Sequence, residues 1–349
     1  MAFHELVIRE VCPETEKAVR LVFNVPDNLR ETFAFTPGQH LTLRAEVNGT
    51  DIRRSYSIAT APGGELCVGV KRVEGGAFSG FAQGLRPGDP VQVMPPEGRF
   101  MLRGERNVLL IAAGSGITPM MAIAAAVLTD GGQVTLVYGN RSVETIMFRG
   151  ALDALKDRYL GRFTLIHVLS REVQDVDLLN GRIDAAKIAA LASAGVIDPF
   201  GAEGVFLCGP GGMIEEVTAA LAAMGVAPER IHQEHFSQSG EAPRAPSRAA
   251  EKAAADGVSV EVLLDGRRRQ FRYEKSDTGI IDAAARQGVD LPWSCHGGMC
   301  CTCRCKVVEG RAEMAVNYSL EPWELEAGFT LACQSRPLTE KLVLDFDAA

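Results

Sequence analysis

The chain is expected to fold as three modules in series: an antiparallel β-barrel, a doubly wound α/β domain on a parallel sheet, and a small C-terminal domain with a cysteine loop. Three observations predict this. Short strands separated by Gly, Pro and Asn turns run as far as Met94. From Asn107 the pattern changes to continuous apolar runs that alternate with helical segments. Finally, six of the nine cysteines fall within Cys295–Cys333.

The barrel segment opens with Leu6–Val11 and Ala18–Phe23, both short and rich in β-branched residues. Pro37-Gly38 and Asn48-Gly49 are turn signals, and the second suits a two-residue hairpin after the alternating run His40–Ala45. Arg53-Arg54-Ser55-Tyr56-Ser57 follows. Tyr56 offers a stacking face, Arg54 a fork for pyrophosphate and Ser57 a hydrogen bond, which together suit a flat ring carrying phosphate. A solvated sheet face explains the same residues. Gly75-Gly76-Ala77-Phe78-Ser79 either presents backbone N–H groups to a phosphate or forms an ordinary turn.

In the second module, Asn107–Ala113 reads as a buried parallel strand. Gly114-Ser115-Gly116-Ile117-Thr118-Pro119 leads into a helix with Pro119 near its first turn. Strand, glycine turn and helix place a phosphate at the helix N-terminus, although Pro119 departs from the usual dinucleotide fingerprint. Val134–Tyr138 leads into Gly139-Asn140-Arg141, Phe163–Leu169 into Ser170-Arg171, and Gly204–Cys208 into Gly209-Pro210. In such sheets ligands bind at the carboxyl ends of the strands.

Ser237–Asp256 is rich in Ser, Ala, Pro and Glu and lacks a large apolar residue, so it reads as a linker. Beyond it lie strands Val258–Leu264 and Arg268–Arg272, a short helix near Gly279–Arg286, the cysteine loop and a last strand Lys341–Phe346. Four residues separate Cys295 from Cys300, two separate Cys300 from Cys303, and Cys333 stands alone downstream. This is the spacing of a plant-type [2Fe–2S] site. A four-cysteine zinc site is the alternative, but zinc sites usually come as two C-x2-C pairs.

Composition narrows the function. A net charge of −8 argues against non-specific nucleic-acid binding. No apolar run approaches a membrane span, and the N-terminus lacks the apolar core of a signal peptide. The cysteines do not form a disulfide framework, so a reducing, cytoplasmic setting is expected. A nicotinamide gives up two electrons together whereas a [2Fe–2S] cluster takes one, so a flavin is needed between them.

Barrel, parallel sheet and cysteine loop, in this order, resemble the ferredoxin–NADP reductase superfamily fused to a plant-type ferredoxin of β-grasp-like fold. The narrower resemblance, carried by Cys300-Cys301-Thr302-Cys303, Val316-Asn317-Tyr318, Leu320-Glu321-Pro322, Gly139-Asn140-Arg141 and Leu169-Ser170-Arg171-Glu172, is to the reductase subunits of bacterial phenylacetyl-CoA epoxidases. It implies domains at residues 1–104 (FAD), 105–236 (NAD(P)) and 258–349 (ferredoxin), with a linker at 237–257. Arg54, Tyr56 and Ser57 would hold FAD, with Lys71, Gly76, Phe78 and Ser79 nearby. Gly114, Gly116, Pro119, Gly209 and Pro210 would frame the nucleotide, with Thr118, Cys208 and the aromatic Phe236 nearest the chemistry. Cys208 and Phe236 are also compatible with plain core packing. Cys295, Cys300, Cys303 and Cys333 would ligate the cluster, with Cys301 and Cys305 outside the ligand set. Cys12 and Cys67 are expected in the core. Arg141, Ser170 and Arg171 resemble the 2′-phosphate site of NADP-dependent relatives. The implied activity carries electrons from NADPH through FAD and [2Fe–2S] to a di-iron monooxygenase. An NADH-dependent reductase of a Rieske-type dioxygenase, or an electron carrier without turnover, remains open at this point.

Overall fold

The computed structural model describes residues 3–236 and 243–348. These fall into two compact units, one formed by residues 3–236 and the other by residues 243–348. The first carries the barrel and the parallel sheet, and the second the cysteine loop.

The barrel strands are β1 (His4–Thr15), β2 (Ala18–Asn24), β3 (His40–Val47), β4 (Thr50–Ser57), β5 (Cys67–Lys71) and β6 (Pro90–Val93). They pair antiparallel in the order β4-β3-β6-β1-β2-β5, and an antiparallel bridge between Ile58 and Val68 joins the two ends. β1 outruns the expected Leu6–Val11 because it pairs with both β2 and β6, and bulges absorb Pro13. Asn48 and Gly49 both hold left-handed backbones, φ 53 and 77, as a two-residue hairpin between twisted strands requires. Alternate residues Leu6, Ile8, Leu21, Phe23, Leu41 and Leu43 fill the interior. Gly75-Gly76 is not an isolated turn: it starts helix α1 (Ala77–Ala82), which drives Phe78 into the barrel core.

The second lobe contains β7 (Asn107–Ala113), α2 (Ile117–Thr129), β8 (Gln133–Asn140), α3 (Arg149–Arg158), β9 (Phe163–Leu169), α4 (Ala185–Ser193), β10 (Gly204–Gly209), α5 (Gly211–Ala223) and β11 (Ile231–His235). All pairings are parallel, in the order β11-β10-β7-β8-β9. The chain winds outward one way from β7 through β8 and β9, then returns through β10 and β11. The switch point therefore lies between β7 and β10, and the turns after these strands open into the same crevice.

The C-terminal unit contains α6 (Arg248–Asp256), β12 (Val258–Leu264), β13 (Arg267–Tyr273), α7 (Ile280–Arg286), β14 (Arg304–Glu309), β15 (Ala312–Met314), α8 (Pro322–Glu326), β16 (Phe329–Leu331), β17 (Ser335–Pro337) and β18 (Lys341–Asp345). The main sheet runs β13-β12-β18-β14-β16, with β12 and β18 parallel, and β15 pairs with β17 beside it. Val260, Val262, Ile280, Ala284, Leu342 and Leu344 form its core.

The linker expected over Ser237–Asp256 needs correction where it is described; residues 237–242 lie outside the described residues. From Arg248 the segment is helix α6, capped by Ser247 Oγ, which accepts the Ala250 N–H at 3.2 Å. Alanine is the best helix former, so a run without large apolar residues can still be helical. Ahead of the helix, Arg244 N donates to Ala315 O at 3.0 Å, and Arg336 Nη1 to Arg244 O at 2.8 Å. The segment from Arg244 to Asp256 is thus part of the cysteine-loop unit. Among the described residues no helix is long and apolar enough to cross a membrane.

Candidate redox centres

The cysteine loop is shaped by three residues with left-handed backbones: His296 (φ 50), Gly298 (φ 74) and Cys301 (φ 58). Only at Gly298 is that geometry free of Cβ strain. A Cβ there would also stand 3.1 Å from Val316 Cγ2, so the position is closed to larger residues by packing as well. The winding turns backbone N–H groups toward sulfur. Gly297 N donates to Cys295 Sγ at 3.3 Å and Cys333 N to Cys303 Sγ at 3.5 Å. Gln334 Nε2 donates to Cys333 Sγ at 3.5 Å and to His296 O at 2.7 Å, tying the lone cysteine to the loop. Gly279, before α7, has no room for a side chain: a Cβ would meet Cys333 O at 2.8 Å.

The four thiols stand as two pairs. The Cys295 thiol is held well below its ordinary value, chiefly by the Cys300 side chain and further by the N–H groups of Gly297, Met299 and Cys300. Cys303 pairs with Cys333, and this contact together with burial pushes the Cys303 thiol up. Among the described residues no three such side chains surround one point. Two pairs with amide donors aimed at sulfur fit a cluster of two irons, each taking two thiolates. Cys305 lies on the core face of β14, fully buried.

In the first unit, Ser57 Oγ donates to Glu234 Oε2 at 3.0 Å, joining the end of β4 to β11. Glu234 is half-buried, and desolvation raises its carboxyl to about 8, only partly offset by Ser57. Sequence reasoning misses Glu234, whose one local signal is an acid inside a short strand, two residues before Phe236. Tyr56 packs against Phe78, ring centroids 5.6 Å apart, and burial raises its phenol. Phe78 is itself 1% exposed, so it supports Tyr56 from the core rather than facing a ligand. Arg54 is exposed, its Nη1 donating to Arg53 O at 2.7 Å. Ser79 Oγ accepts from Val73 N at 3.0 Å and donates to Gly76 O at 3.2 Å, so this hydroxyl fastens its own loop.

Lys71, grouped with the flavin residues by sequence, reaches the Gly114 turn. Its Nζ stands 3.3 Å from where a Cβ on Gly114 would be, and desolvation, then Arg141, lowers its pKa. Gly114 is left-handed (φ 55), and Tyr138 Oη donates to its carbonyl at 2.9 Å. Gly116 touches the neighbouring strand end: a Cβ there would fall 2.0 Å from Cys208 O. Thr118 Oγ1 donates to Ser115 O at 3.0 Å, and Pro119 is buried within α2. Cys208 is fully buried, and desolvation pushes its thiol far up, so it presents no thiolate. Gly209 and Pro210 lead into α5, and a Cβ on Gly209 would meet Met213 Cε at 2.6 Å. At the open end of the sheet, Ser170 N and Arg171 N donate to Asn140 O at 3.0 Å and Arg141 O at 2.8 Å. Glu172 Oε2 accepts the Val143 N–H at 2.8 Å and so pins the two loops together. Phe236 is 39% exposed, which removes the core-packing alternative for it. Cys67 is buried as expected, but Cys12 is only half-buried, with Sγ 2.8 Å from Glu10 Oε1.

The contact of Gly116 with Cys208 gives a first expected result. Gly116→Ala should destabilise the protein by about 3 kcal/mol, because the methyl meets backbone that cannot rotate away. Thermal melting and NADP+ titration check this; FAD content should hold, since the barrel is untouched.

Family models match in the same order along the chain: an oxidoreductase FAD-binding domain over residues 6–102, an oxidoreductase NAD-binding domain over 110–219, and a 2Fe-2S iron-sulfur cluster binding domain over 262–338. The chain is 45% identical to one subunit of the 1,2-phenylacetyl-CoA epoxidase of Escherichia coli (strain K12), covering 99% of this chain and 98% of that protein. It is 37% identical to the ferredoxin reductase component of 3-ketosteroid-9-alpha-monooxygenase from Rhodococcus rhodochrous, covering 98% and 96%. Among solved structures, phthalate dioxygenase reductase shares the fold over 99% of this chain and 98% of its own, with a TM-score of 0.58 at 22% identity. An electron carrier without turnover is set aside by the complete flavin and nucleotide domains. The chain belongs to the family of oxygenase reductase components that join FAD-binding, NAD-binding and 2Fe-2S domains, and it is an NAD(P)H-dependent electron-transfer reductase.

Proposed function

We propose that this reductase oxidises NADPH and delivers electrons to a di-iron monooxygenase that epoxidises phenylacetyl-CoA, in the cytoplasm. The acceptor reading rests on end-to-end similarity to a component of the Escherichia coli epoxidase. The NADPH reading rests on the two loops bonded through Arg171 N and Arg141 O, which bring Arg141, Ser170 and Arg171 to one edge of the sheet. A 2′-phosphate is welcomed only by cations and good donors. Glu172, next to Arg171 in sequence, accepts the Val143 N–H.

In this reading Arg54, Tyr56 and Ser57 hold FAD, while Gly114, Gly116, Thr118, Gly209 and Pro210 frame the nucleotide and Lys71 and Arg141 meet its phosphates. Bound FAD supplies the conversion of a hydride into single electrons. The chain's residues orient and shield. Phe236 would shield the flavin, Cys208 fills space as a small buried side chain, and Glu234, accepting Ser57 Oγ, would hold a proton at its carboxyl. Cys295, Cys300, Cys303 and Cys333 ligate the cluster, and all nine cysteines are free, as a reducing compartment favours.

Steady-state kinetics with both nucleotides test the reading. Arg171→Ala should weaken NADPH by about 10- to 100-fold through loss of charge-assisted hydrogen bonds, and leave NADH nearly unchanged. Equal use of NADH by the wild type, or equal loss for both nucleotides, would favour the NADH-dependent dioxygenase reductase. Reconstitution with a di-iron epoxidase component and with a Rieske-type component then decides the acceptor.

A further inference from the structure

The barrel and the nucleotide lobe share a seam that the ligand-binding motifs do not account for. Near the end of β1, Glu14 Oε1 accepts Arg20 Nε at 3.2 Å, while Oε2 accepts the backbone N–H of Phe148 at 2.8 Å. Phe148 is the residue before α3, so a barrel carboxylate satisfies an N–H at the start of a helix in the other lobe. A helix N-terminus leaves such N–H groups unpaired and favours negative charge. Phe148 also holds a left-handed backbone, φ 58, which is unfavourable for a bulky aromatic.

The contacts of its ring show what this conformation achieves. Phe148 is buried, and its edge lies against Gly69 of β5. A Cβ on Gly69 would stand 3.0 Å from Phe148 Cε2 and Cζ, and 2.8 Å from Thr118 Cγ2. Two residues on, Lys71 reaches the Gly114 turn. β5 therefore approaches the nucleotide lobe at Phe148, Thr118 and Gly114. The same strand is bridged to Ile58, next to Ser57, through Val68. Any displacement of β5 moves the nucleotide turn against the strand that carries Tyr56 and Ser57.

We propose that Glu14 and Gly69 are positioning residues for hydride transfer. Glu14 latches Phe148 to the barrel, and the bare surface of Gly69 lets Thr118 approach to the separation at which nicotinamide and flavin are in contact. In the step they control, a hydride, two electrons with one proton, leaves the dihydronicotinamide, which is oxidised. It arrives on the flavin, which is reduced and takes its second proton from solvent or a side chain. Such a step is steeply sensitive to separation: a misplacement of ~1 Å costs about 100-fold.

The test uses the full-length, FAD-loaded protein and the variants Gly69→Ala, Glu14→Ala and Glu14→Gln. FAD content, NADP+ affinity, the charge-transfer absorbance with nucleotide, hydrogen exchange at the Phe148 amide and anaerobic single-turnover flavin reduction are measured. Gly69→Ala should keep FAD, bind NADP+ within about threefold of wild type, and reduce flavin about tenfold or more slowly with a weaker charge-transfer band. Glu14→Ala should speed exchange at Phe148 and slow reduction about fivefold. Glu14→Gln keeps an oxygen acceptor and should retain most of the rate. Flavin reduction within about twofold of wild type in both alanine variants would overturn the proposal. So would a rate loss that follows lost FAD or lost nucleotide affinity, or a Glu14→Gln variant as slow as Glu14→Ala. If Gly69→Ala does not fold, the two Glu14 variants decide the matter.

Discussion

Cys300→Ser is expected to yield a protein that retains FAD and oxidises NADPH with ferricyanide, but is no longer brown and no longer reduces cytochrome c efficiently. The two-pair arrangement gives the reason. The Cys300 side chain lies against Cys295, and in the proposed ligand set its removal would leave one iron with a single thiolate. Loss of an outer hydrogen-bond partner alone typically costs about 10–100-fold at a metal site, so loss of a ligand should exceed about 100-fold in cytochrome c reduction. Iron analysis should fall from about two per chain toward zero. Cys305→Ser and Cys301→Ser serve as controls. Cys305 faces the core of its unit, and Cys301 occupies a left-handed position where its Cβ is strained. Both variants should keep the visible spectrum of the cluster. Loss of the spectrum in either would show that the ligand set has been misassigned.

Glu234→Gln is expected to change both pH dependence and electron delivery. Desolvation of the half-buried carboxyl raises it to about 8 from an ordinary 4.5 by penalising its charged form. Between those values the folded state holds a proton that the unfolded chain has released. Stability from this group is therefore greatest below about pH 4.5 and is lost as pH rises toward 8, by up to about 1.4 kcal/mol per pH unit. Glutamine keeps the hydrogen bond to Ser57 and cannot ionise. The variant should therefore gain thermal stability relative to wild type as pH is raised through that window. Its activity should move the other way. General acid–base groups contribute about 100- to 10,000-fold, so NADPH-to-cytochrome c turnover should fall by about 100-fold with FAD still bound. Wild-type turnover should decline above about pH 8, and the variant should show no such decline. An unaltered pH profile in Glu234→Gln would remove the proton-holding role.

The parts of the molecule legible in the sequence are those carried by local pattern. The Cys295–Cys303 spacing, the apolar run Asn107–Ala113 with its glycine turn, and the Asn48-Gly49 hairpin each depend on neighbours a few residues away. Helix α6 reads as a linker because linker composition and an alanine-rich helix look alike until a surface is present for the helix to lie on. Phe78 and Lys71 group with the flavin residues because they sit near that motif in sequence. Burial under Tyr56 and reach toward Gly114 are properties of the packed barrel.

The sequence by itself determined the order of the modules, the cofactor classes and the four candidate cysteine ligands, because spacing constrains what a loop can coordinate and periodicity constrains which face is buried. The tertiary structure alone decided the Ser57–Glu234 contact, which closes over 177 residues, and the Glu14–Phe148 contact, which closes over 134. No pattern within a strand records a hydrogen bond to a partner so remote. The raised carboxyl of Glu234 likewise arises only once β4 and β11 come together and partly desolvate it.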